Sequence, residues 1–402
     1  SPVTFDSDGN VWGATTLQTD DQGNGIAQGT LFKIAGGSLS TIHSFTDAEG
    51  MITESGGVTQ AADGNVYGVT RGTTGFNGVF FRTDVKGNYR VLASVPDTEV
   101  GYVPYRSFYK GLDGKLYGQT QSGGGSTYYT IDATQWIDSI SPTSGPASGG
   151  TPVTITGAGF VAGAGVEIGG IQATDPNVPD ATHVTADTPV GKTAGSTNLV
   201  KVRLPDNTVI LLEKGWFADF LDVPQNDIFH DYIEAVARVG ITAGCGGGNY
   251  CRDSPVTRAQ MAVFLEKAKR GADFVPPACV GTFPDVPCSS PFAPWIEQLA
   301  ADGITGGCGG GNYCPDSPVL RQQMAVFLLK GEHGSAYDPP DCAGIFDDVP
   351  CTPGAGFSDW IEQLVAEAIT GGCQASPPLY CPLNDVTRGQ MAVFLTKTFA
   401  PS

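Results

Sequence analysis

Three arginines late in the chain occupy matching positions, and each stands where a cation is electrostatically unwelcome. Arg258, Arg321 and Arg388 each open a run of helical apolar spacing, of which Arg258-Ala259-Gln260-Met261-Ala262-Val263-Phe264-Leu265 is the first. A positive charge in a first helical turn opposes the helix macrodipole by about 0.3–1 kcal/mol. An anion beside each guanidinium removes that conflict, because helix amides and guanidinium then point at the same charge. The anion is either a carboxylate on a ligand or an Asp of a neighbouring segment, and the residues alone leave both open. Two of the arginines follow capping boxes, Thr257-x-x-Gln260 and Thr387-x-x-Gln390, in which the hydroxyl accepts an amide and the Gln reaches back. Leu320 takes the Thr place before Arg321, so loss of that cap is expected.

Cysteine supplies the second chemistry. All ten cysteines lie between Cys245 and Cys381, in the local pairs Cys245/Cys251, Cys279/Cys288, Cys308/Cys314, Cys342/Cys351 and Cys373/Cys381. Five, seven or eight residues separate the partners, whereas paired zinc ligands are usually about two to four residues apart. The four histidines, His43, His183, His230 and His333, are scattered. The pattern predicts five short disulfides and an oxidising compartment, with no metal. Each bridge should stabilise by about 2–3 kcal/mol in the chain-entropy picture.

Other chemistry is not supported. No Gly-x-Ser-x-Gly elbow and no His-Glu-x-x-His occurs, so neither an enzyme nor a cofactor is expected. Ala186-Asp187-Thr188-Pro189-Val190-Gly191-Lys192-Thr193 imitates a phosphate loop, but Ala194-Gly195-Ser196-Thr197-Asn198 reads as a turn and not as the helix such a loop needs. Asp6-Ser7-Asp8-Gly9-Asn10 has oxygens for calcium, yet the same residues suit a plain turn. A formal net charge of −19 speaks against nucleic acid and anionic membranes as partners. No run of about 18 apolar residues exists to span a bilayer. The chain opens on Ser1-Pro2 without a signal-peptide pattern, as a mature or trimmed product would.

The elements that must position the arginines recur as a unit. Phe220-Leu221-Asp222-Val223-Pro224 is matched by Phe283-Pro284-Asp285-Val286-Pro287 and Phe346-Asp347-Asp348-Val349-Pro350. Helical spacing follows in each: Ile233, Val236 and Ala237; Ile296, Leu299 and Ala300; Ile361, Leu364 and Val365. Gly240 and Gly303 end the first two of these helices as left-handed caps, whereas Ala368 in the third implies a turn built differently. The second helix of each unit buries Met261, Phe264 and Leu265, then Met324, Phe327 and Leu328, then Met391, Phe394 and Leu395. Such units cannot bury their apolar faces alone and must stack or bundle.

Phe-x-Asp-Val, the aromatic-Ile helix, Gly-Ile-x-x-Gly and Thr-Arg-Ala together resemble the S-layer homology (SLH) family. The resemblance covers residues 220–282, 283–345 and 346–402, and implies an α-helical three-pronged pseudo-trimer that binds anionic cell-wall polysaccharide. Carried onto this sequence, it makes Arg258, Arg321, Arg388, Asp222, Asp285, Asp348, Trp295 and Trp360 the glycan contacts, with Tyr232 a weaker equivalent. Gln260, Gln323 and Gln390 replace the Glu of the family, and the cysteines are not a general feature of it.

Upstream, Ile137-Asp138-Ser139-Ile140-Ser141-Pro142-Thr143-Ser144-Gly145-Pro146, then Gly149-Gly150 and Gly157-Ala158-Gly159-Phe160, resemble the IPT/TIG family. That implies an immunoglobulin-like β-sandwich over residues 136–219, read as a spacer. Residues 1–135 carry Asp8-Gly9-Asn10-Val11-Trp12-Gly13, Asp63-Gly64-Asn65-Val66-Tyr67-Gly68 and Asp113-Gly114-Lys115-Leu116-Tyr117-Gly118. Each is hairpin chemistry with an aromatic, and the set resembles GloVer-type tandem repeats of secreted bacterial proteins. Three β-propeller-like blades are expected, with the propeller incomplete. The expected whole is a multidomain extracellular protein at the cell surface, anchored non-covalently through its SLH array. The alternative is a structural subunit that self-assembles with identical copies into a filament or surface layer.

Overall fold

The computed structural model describes residues 3–15, 18–19, 25–27, 29–46, 49–50, 57–61, 63–71, 78–95, 108–122 and 125–399. They fall into two compact units, one of Ser1–Thr143, Gly150–Pro189 and Asn198–Trp216, the other of Ser144–Gly149, Val190–Thr197 and Phe217–Ser402.

The first unit begins with three antiparallel sheets, one per aromatic repeat. In order across each, the strands are Thr4–Phe5, Val11–Ala14, Thr30–Ala35 and Ser38–Ser44; then Val58–Gln60, Val66–Val69, Gly78–Thr83 and Tyr89–Val95; then Tyr109–Lys110, Leu116–Ser122 and Gly125–Ile131. A propeller is not shown; the described residues make sheets of four, four and three strands and one two-stranded pair, Gln18–Thr19 with Gly25–Ala27. The Asp-Gly turns need a left-handed residue, and Gly9, Gly64 and Gly114 supply it at φ +80°, +83° and +82°. The carboxylate in each turn is occupied by the aromatic that follows. Asp6 accepts from Trp12 Nε1 at 2.8 Å, Asp63 from the Tyr67 hydroxyl at 2.8 Å and Asp113 from that of Tyr117 at 2.6 Å. Asp6 also accepts the Asp8 and Asn10 amides at 3.0 and 2.8 Å, so this loop is a turn in its own right. The glycine after each aromatic leaves room for a ring: a Cβ on Gly13, Gly68 or Gly118 would collide with Phe32, Phe81 or Tyr129.

The sandwich has one sheet ordered Trp136–Ser141, Pro152–Ala158, His183–Asp187, Thr174–Asp180. The other is ordered Ser144–Pro146, Val209–Asp219, Ser196–Arg203, Gly165–Ile168, Ile171–Gln172. Val153, Ile155, Val184, Ala186, Val200 and Val202 are buried at alternate positions, as half-buried strands require. Lys192-Thr193 starts no helix, so the phosphate-loop pattern has no structural counterpart.

Among the described residues the second unit holds six helices: α1 (His230–Arg238), α2 (Arg258–Arg270), α3 (Ala293–Ala301), α4 (Arg321–His333), α5 (Ser358–Ala366) and α6 (Arg388–Phe399). Met261, Met324 and Met391 are fully buried in one shared core. At its centre the repeats close on one another through backbone. Val256 N–H donates to Val386 C=O at 2.9 Å, Val319 to Val256 at 2.9 Å and Val386 to Val319 at 2.8 Å. That ring needs three participants, which is why the repeats bundle and do not run on as an open stack.

Two expectations change here. Ala368 does not build a different turn. It adopts φ +58°, beside +82° at Gly240 and +71° at Gly303. The same pair of bonds closes all three helix ends: residue 240 to 237 and 241 to 236, 303 to 300 and 304 to 299, 368 to 365 and 369 to 364. The hydrogen bonds of the motif outweigh the steric cost of a Cβ in the left-handed region. The middle cap is not lost outright either. Leu320 has no hydroxyl to offer, but its amide still donates to Gln323 Oε1 at 3.1 Å. Thr257/Gln260 and Thr387/Gln390 make both halves at 3.3 Å.

All five expected disulfides are present, and among the described residues no cysteine is free. They are not five equivalent staples, however. Cys245–Cys251, Cys308–Cys314 and Cys373–Cys381 close the loops between the two helices of a repeat, whereas Cys279–Cys288 and Cys342–Cys351 tie down the segment before its first helix. The two bridges before the first helices also differ in their surroundings. The second repeat sets Cys279 Sγ 3.3 Å from Glu297 Oε1, while the third sets the exposed Cys351 with its Sγ 3.1 Å from the Cys342 carbonyl. The cause is local. Cys351-Thr352-Pro353-Gly354-Ala355-Gly356-Phe357 is two residues longer than Cys288-Ser289-Ser290-Pro291-Phe292. Asp359, where α3 has Pro294, then draws in the Cys342 and Gly354 amides at 2.9 and 2.7 Å.

Candidate functional site

The candidate site recurs at the junction of each repeat with the next. The second helix of one repeat packs on the first helix of its neighbour: α2 on α3, α4 on α5, and α6 back on α1. Each junction centres on one of the three arginines, and all three are buried, at 3, 4 and 6 % exposure for Arg258, Arg321 and Arg388.

Their partners lie in the following repeat. Arg258 Nε donates to the Tyr313 carbonyl at 2.8 Å, Arg321 Nε to that of Tyr380 at 2.9 Å and Arg388 Nε to that of Tyr250 at 2.8 Å. Each Tyr hydroxyl returns a bond to its arginine's own carbonyl, at 2.8, 3.0 and 3.1 Å. The guanidinium lies over that same ring at 4.7–4.8 Å. A phenylalanine of the same neighbour (Phe327, Phe394 or Phe264) lies 5.4–5.8 Å away. Burial pushes each guanidinium below its usual value and pushes the Tyr250 and Tyr380 hydroxyls up to about 12.

Among the described residues no Asp of a neighbouring repeat hydrogen-bonds the arginine at the helix start; backbone carbonyls stand there. The first amides of α2 donate to the Ser317 and Pro315 carbonyls, those of α4 to Asn384 and Pro382, and those of α6 to Ser254 and Arg252, all at 2.8–3.1 Å. Backbone carbonyls of the next repeat therefore satisfy both the helix N-terminus and the guanidinium. One nitrogen is left over: the Nη2 of all three arginines is buried without a partner among the described residues.

Asp222, Asp285 and Asp348 are half-buried and serve their own repeat. Each accepts two successive amides at 2.7–2.8 Å, from Tyr250 and Cys251, Tyr313 and Cys314, or Tyr380 and Cys381. This holds the cystine loop and so places the tyrosine carbonyl that the arginine seeks. Cys279, Cys288, Cys342 and Cys351 carry no such tyrosine, and their two bridges support the chain leading into α3 and α5 instead. The aspartates act on the arginine of the preceding repeat as charges at longer range. Trp295 and Trp360 are half-buried on α3 and α5. Lys267 lies over the first at 6.0 Å and Lys330 over the second at 5.8 Å. Tyr232 takes the same place on α1. The structure thus brings each arginine to the tyrosine loop that the following Asp holds, while Trp295 and Trp360 lie beside Lys267 and Lys330, further along the helices that Arg258 and Arg321 begin. Sequence reasoning missed Tyr250, Tyr313 and Tyr380. Their signal was the Tyr-Cys pair that recurs in every repeat.

A family model described as IPT/TIG domain matches residues 136–211, and one described as S-layer homology domain matches residues 219–262 and 282–325. A cell surface protein of Thermoanaerobacter kivui is 32% identical over 114 residues, 27% of this chain and 15% of that protein. The chain therefore spans a small part of that relative's length. Two structures of the Plexin A4 extracellular region align at 14% identity and a TM-score of 0.20, over 47% and 48% of this chain and 16% and 14% of theirs. A likeness at that score carries no argument. What the family matches establish is an IPT/TIG domain followed by S-layer homology repeats.

Proposed function

We propose that this is a cell-surface protein held non-covalently on anionic cell-wall polysaccharide by its repeat array, and that residues 346–399 are a third copy of the repeat matched twice. The observation that carries the reading is one junction made three times, each with a half-buried aromatic on its first helix and, at two of them, a lysine beside the ring. A carboxylate on a bound glycan would meet those lysines at the surface, with the buried arginines beneath adding positive charge to each junction. Trp295, Trp360 and Tyr232 offer rings for sugar faces, and the lysines beside the two tryptophans add positive charge. Asp222, Asp285 and Asp348 support the site by fixing the tyrosine loops. The name of the bacterial relative and the S-layer homology match both point to the cell surface. The sandwich is a spacer in this reading, the three sheets are propeller-like blades, and no catalytic role is assigned.

Co-sedimentation and calorimetry with purified wall polysaccharide test the proposal. Trp295→Ala and Trp360→Ala should weaken binding by more than their loss of stability explains, with binding read well below the melting temperature of each variant, because both rings are half-buried against the core. Failure of the unmutated protein to bind any wall fraction would discard the anchor. A second reading, self-assembly, draws on the third sheet. Among the described residues it ends at Gly125–Ile131, where the first two sheets carry a fourth strand, and an unpaired strand edge recruits other chains. Polymers in electron micrographs of purified protein would favour it, and a monodisperse monomer would exclude it.

A further inference from the structure

The first repeat departs from the other two at one buried place. In the second repeat Glu297 accepts the Val280, Gly281 and Thr282 amides at 2.7–2.8 Å. In the third, Glu362 accepts those of Ala343, Gly344 and Ile345 at 2.6–2.8 Å. The same position on α1 is Glu234, but there the preceding segment is the end of a strand. Phe217, Ala218 and Asp219 pair in parallel with Ser144, Gly145 and Pro146. Glu234 has instead the Arg238 Nε at 2.6 Å, and two residues special to this repeat. His230 stands where the others have Ala293 and Ser358, and Asp219 where they have Thr282 and Ile345.

These residues have the form of a metal-binding set. One oxygen of Asp219, one ring nitrogen of His230 and one oxygen of Glu234 lie within 4.8 Å of one another, at 6, 6 and 8 % exposure. His230 Nε2 is 3.2 Å from Asp219 Oδ1. Two ligands of a tetrahedral ion with bonds of about 2.0–2.1 Å stand about 3.3 Å apart. On the far side of the ring, Nδ1 is 2.9 Å from Asp231 Oδ1, the outer carboxylate that commonly orients a metal-bound imidazole. Arg238 plays the matching outer role on Glu234. Phe217, Phe220, Val223 and Ile233 complete the lining and bring no further charge. With the ring neutral, Asp219, Asp231 and Glu234 against Arg238 leave two negative charges, which one divalent ion balances.

We propose that Asp219, His230 and Glu234 bind a divalent transition ion, which fastens the incoming strand to the first helix of the array. Imidazole with two carboxylates suits zinc or a similar ion. Without an ion both ring nitrogens face oxygens that only accept, so the ring holds two protons. Binding sends the Nε2 proton to solvent as the metal–nitrogen bond forms.

The test uses the full chain, stripped with chelator and titrated with zinc ion. An exposed group, Glu332, His333 and Glu367, also gathers within 4.8 Å, so the work is done beside a His333→Ala variant. Calorimetry in two buffers of different ionisation enthalpy should show about one zinc per chain and about one proton released. The melting temperature should rise in both the unmutated and His333→Ala proteins. Asp219→Asn and Glu234→Gln should each weaken zinc binding at least about tenfold. Should either variant fold poorly, zinc-edge X-ray absorption on the His333→Ala protein reads the ligands directly, with one imidazole and oxygens expected. Sulfur ligands, no zinc uptake by His333→Ala, or equal affinity in Asp219→Asn and Glu234→Gln would each overturn the proposal. His230 would then be a buried imidazolium and nothing more.

Discussion

Arg388 Nε donates to the Tyr250 carbonyl at 2.8 Å, and the Tyr250 hydroxyl donates back to the Arg388 carbonyl at 3.1 Å, across 138 residues of chain. This exchange joins the last repeat to the first and closes the ring that Arg258–Tyr313 and Arg321–Tyr380 carry forward.

Arg388→Ala should therefore destabilise the array. It removes a charge-assisted bond worth about 1.5–3 kcal/mol and a ring contact worth about 0.5–2 kcal/mol. After relief of the buried charge, a loss of about 2–4 kcal/mol is expected. Tyr250→Phe, which deletes only the return bond, should cost about 1 kcal/mol. Denaturant melts of both variants check this, and an unchanged midpoint for Arg388→Ala would remove the arginine from its structural role. Binding losses in arginine variants must accordingly be read against folding, and the tryptophans, half-buried where the arginines are buried, are the less confounded probes of glycan.

Ala368 holds φ +58° in a turn that glycine makes in the other two repeats. A side chain in the left-handed region costs about 1–2 kcal/mol, partly offset because glycine loosens the unfolded chain. Ala368→Gly should stabilise by about 0.5–1 kcal/mol. Gly303→Ala should do the reverse, and by more, since its Cβ would approach that of Ser335. A lower melting temperature for Ala368→Gly would contradict the account.

The five cystines each close a short loop, with sequence separations of 6 to 9. Chain entropy assigns about 2–3 kcal/mol to such a loop. Non-reducing peptide maps should show five local crosslinks. Reduction should lower the stability of residues 220–402 by several kcal/mol while leaving the sandwich unchanged. A sandwich that melts together with the reduced array would argue against that separation.

Acid should weaken the array through its depressed carboxyls. Burial pushes Glu297 up, but the Thr282, Val280 and Gly281 amides more than reverse it. Burial likewise raises Asp302, and Lys269, Arg270 and Gln298 hold it below its usual value. Burial opposes the lowering of Asp285 too, and the Tyr313 and Cys314 amides prevail. Groups with depressed folded values contribute stability that is complete above the unfolded value, about pH 4, and is lost as pH falls through the folded value. The melting temperature should hold near neutrality and fall progressively below about pH 4. Glu297→Gln should melt lower at pH 7 and show a shallower acid slope, and a parallel slope would show that Glu297 is not one of the groups responsible.

Composition and local pattern were enough for the outline of this protein. The spacing of cysteines within a few residues decided their pairing, because a short chain segment has few other partners to reach. The Thr-x-x-Gln boxes, the Asp-Gly turns and the alternation of Val153, Ile155, Val200 and Val202 are likewise local, and periodicity exposed them. What the three arginines touch was decided elsewhere. The carbonyls of Tyr313, Tyr380 and Tyr250 come within reach only when a neighbouring repeat packs against each helix start, and backbone acceptors leave no mark in side-chain identity. Ala368 was misjudged for a related reason, since a residue's preferred φ yields when two hydrogen bonds and a packed helix end demand another. The gathering of Asp219, His230 and Glu234 is tertiary in the same sense. It arises only where a strand replaces the loop that feeds the other two repeats, so that a carboxylate from one element meets an imidazole and a carboxylate from the next.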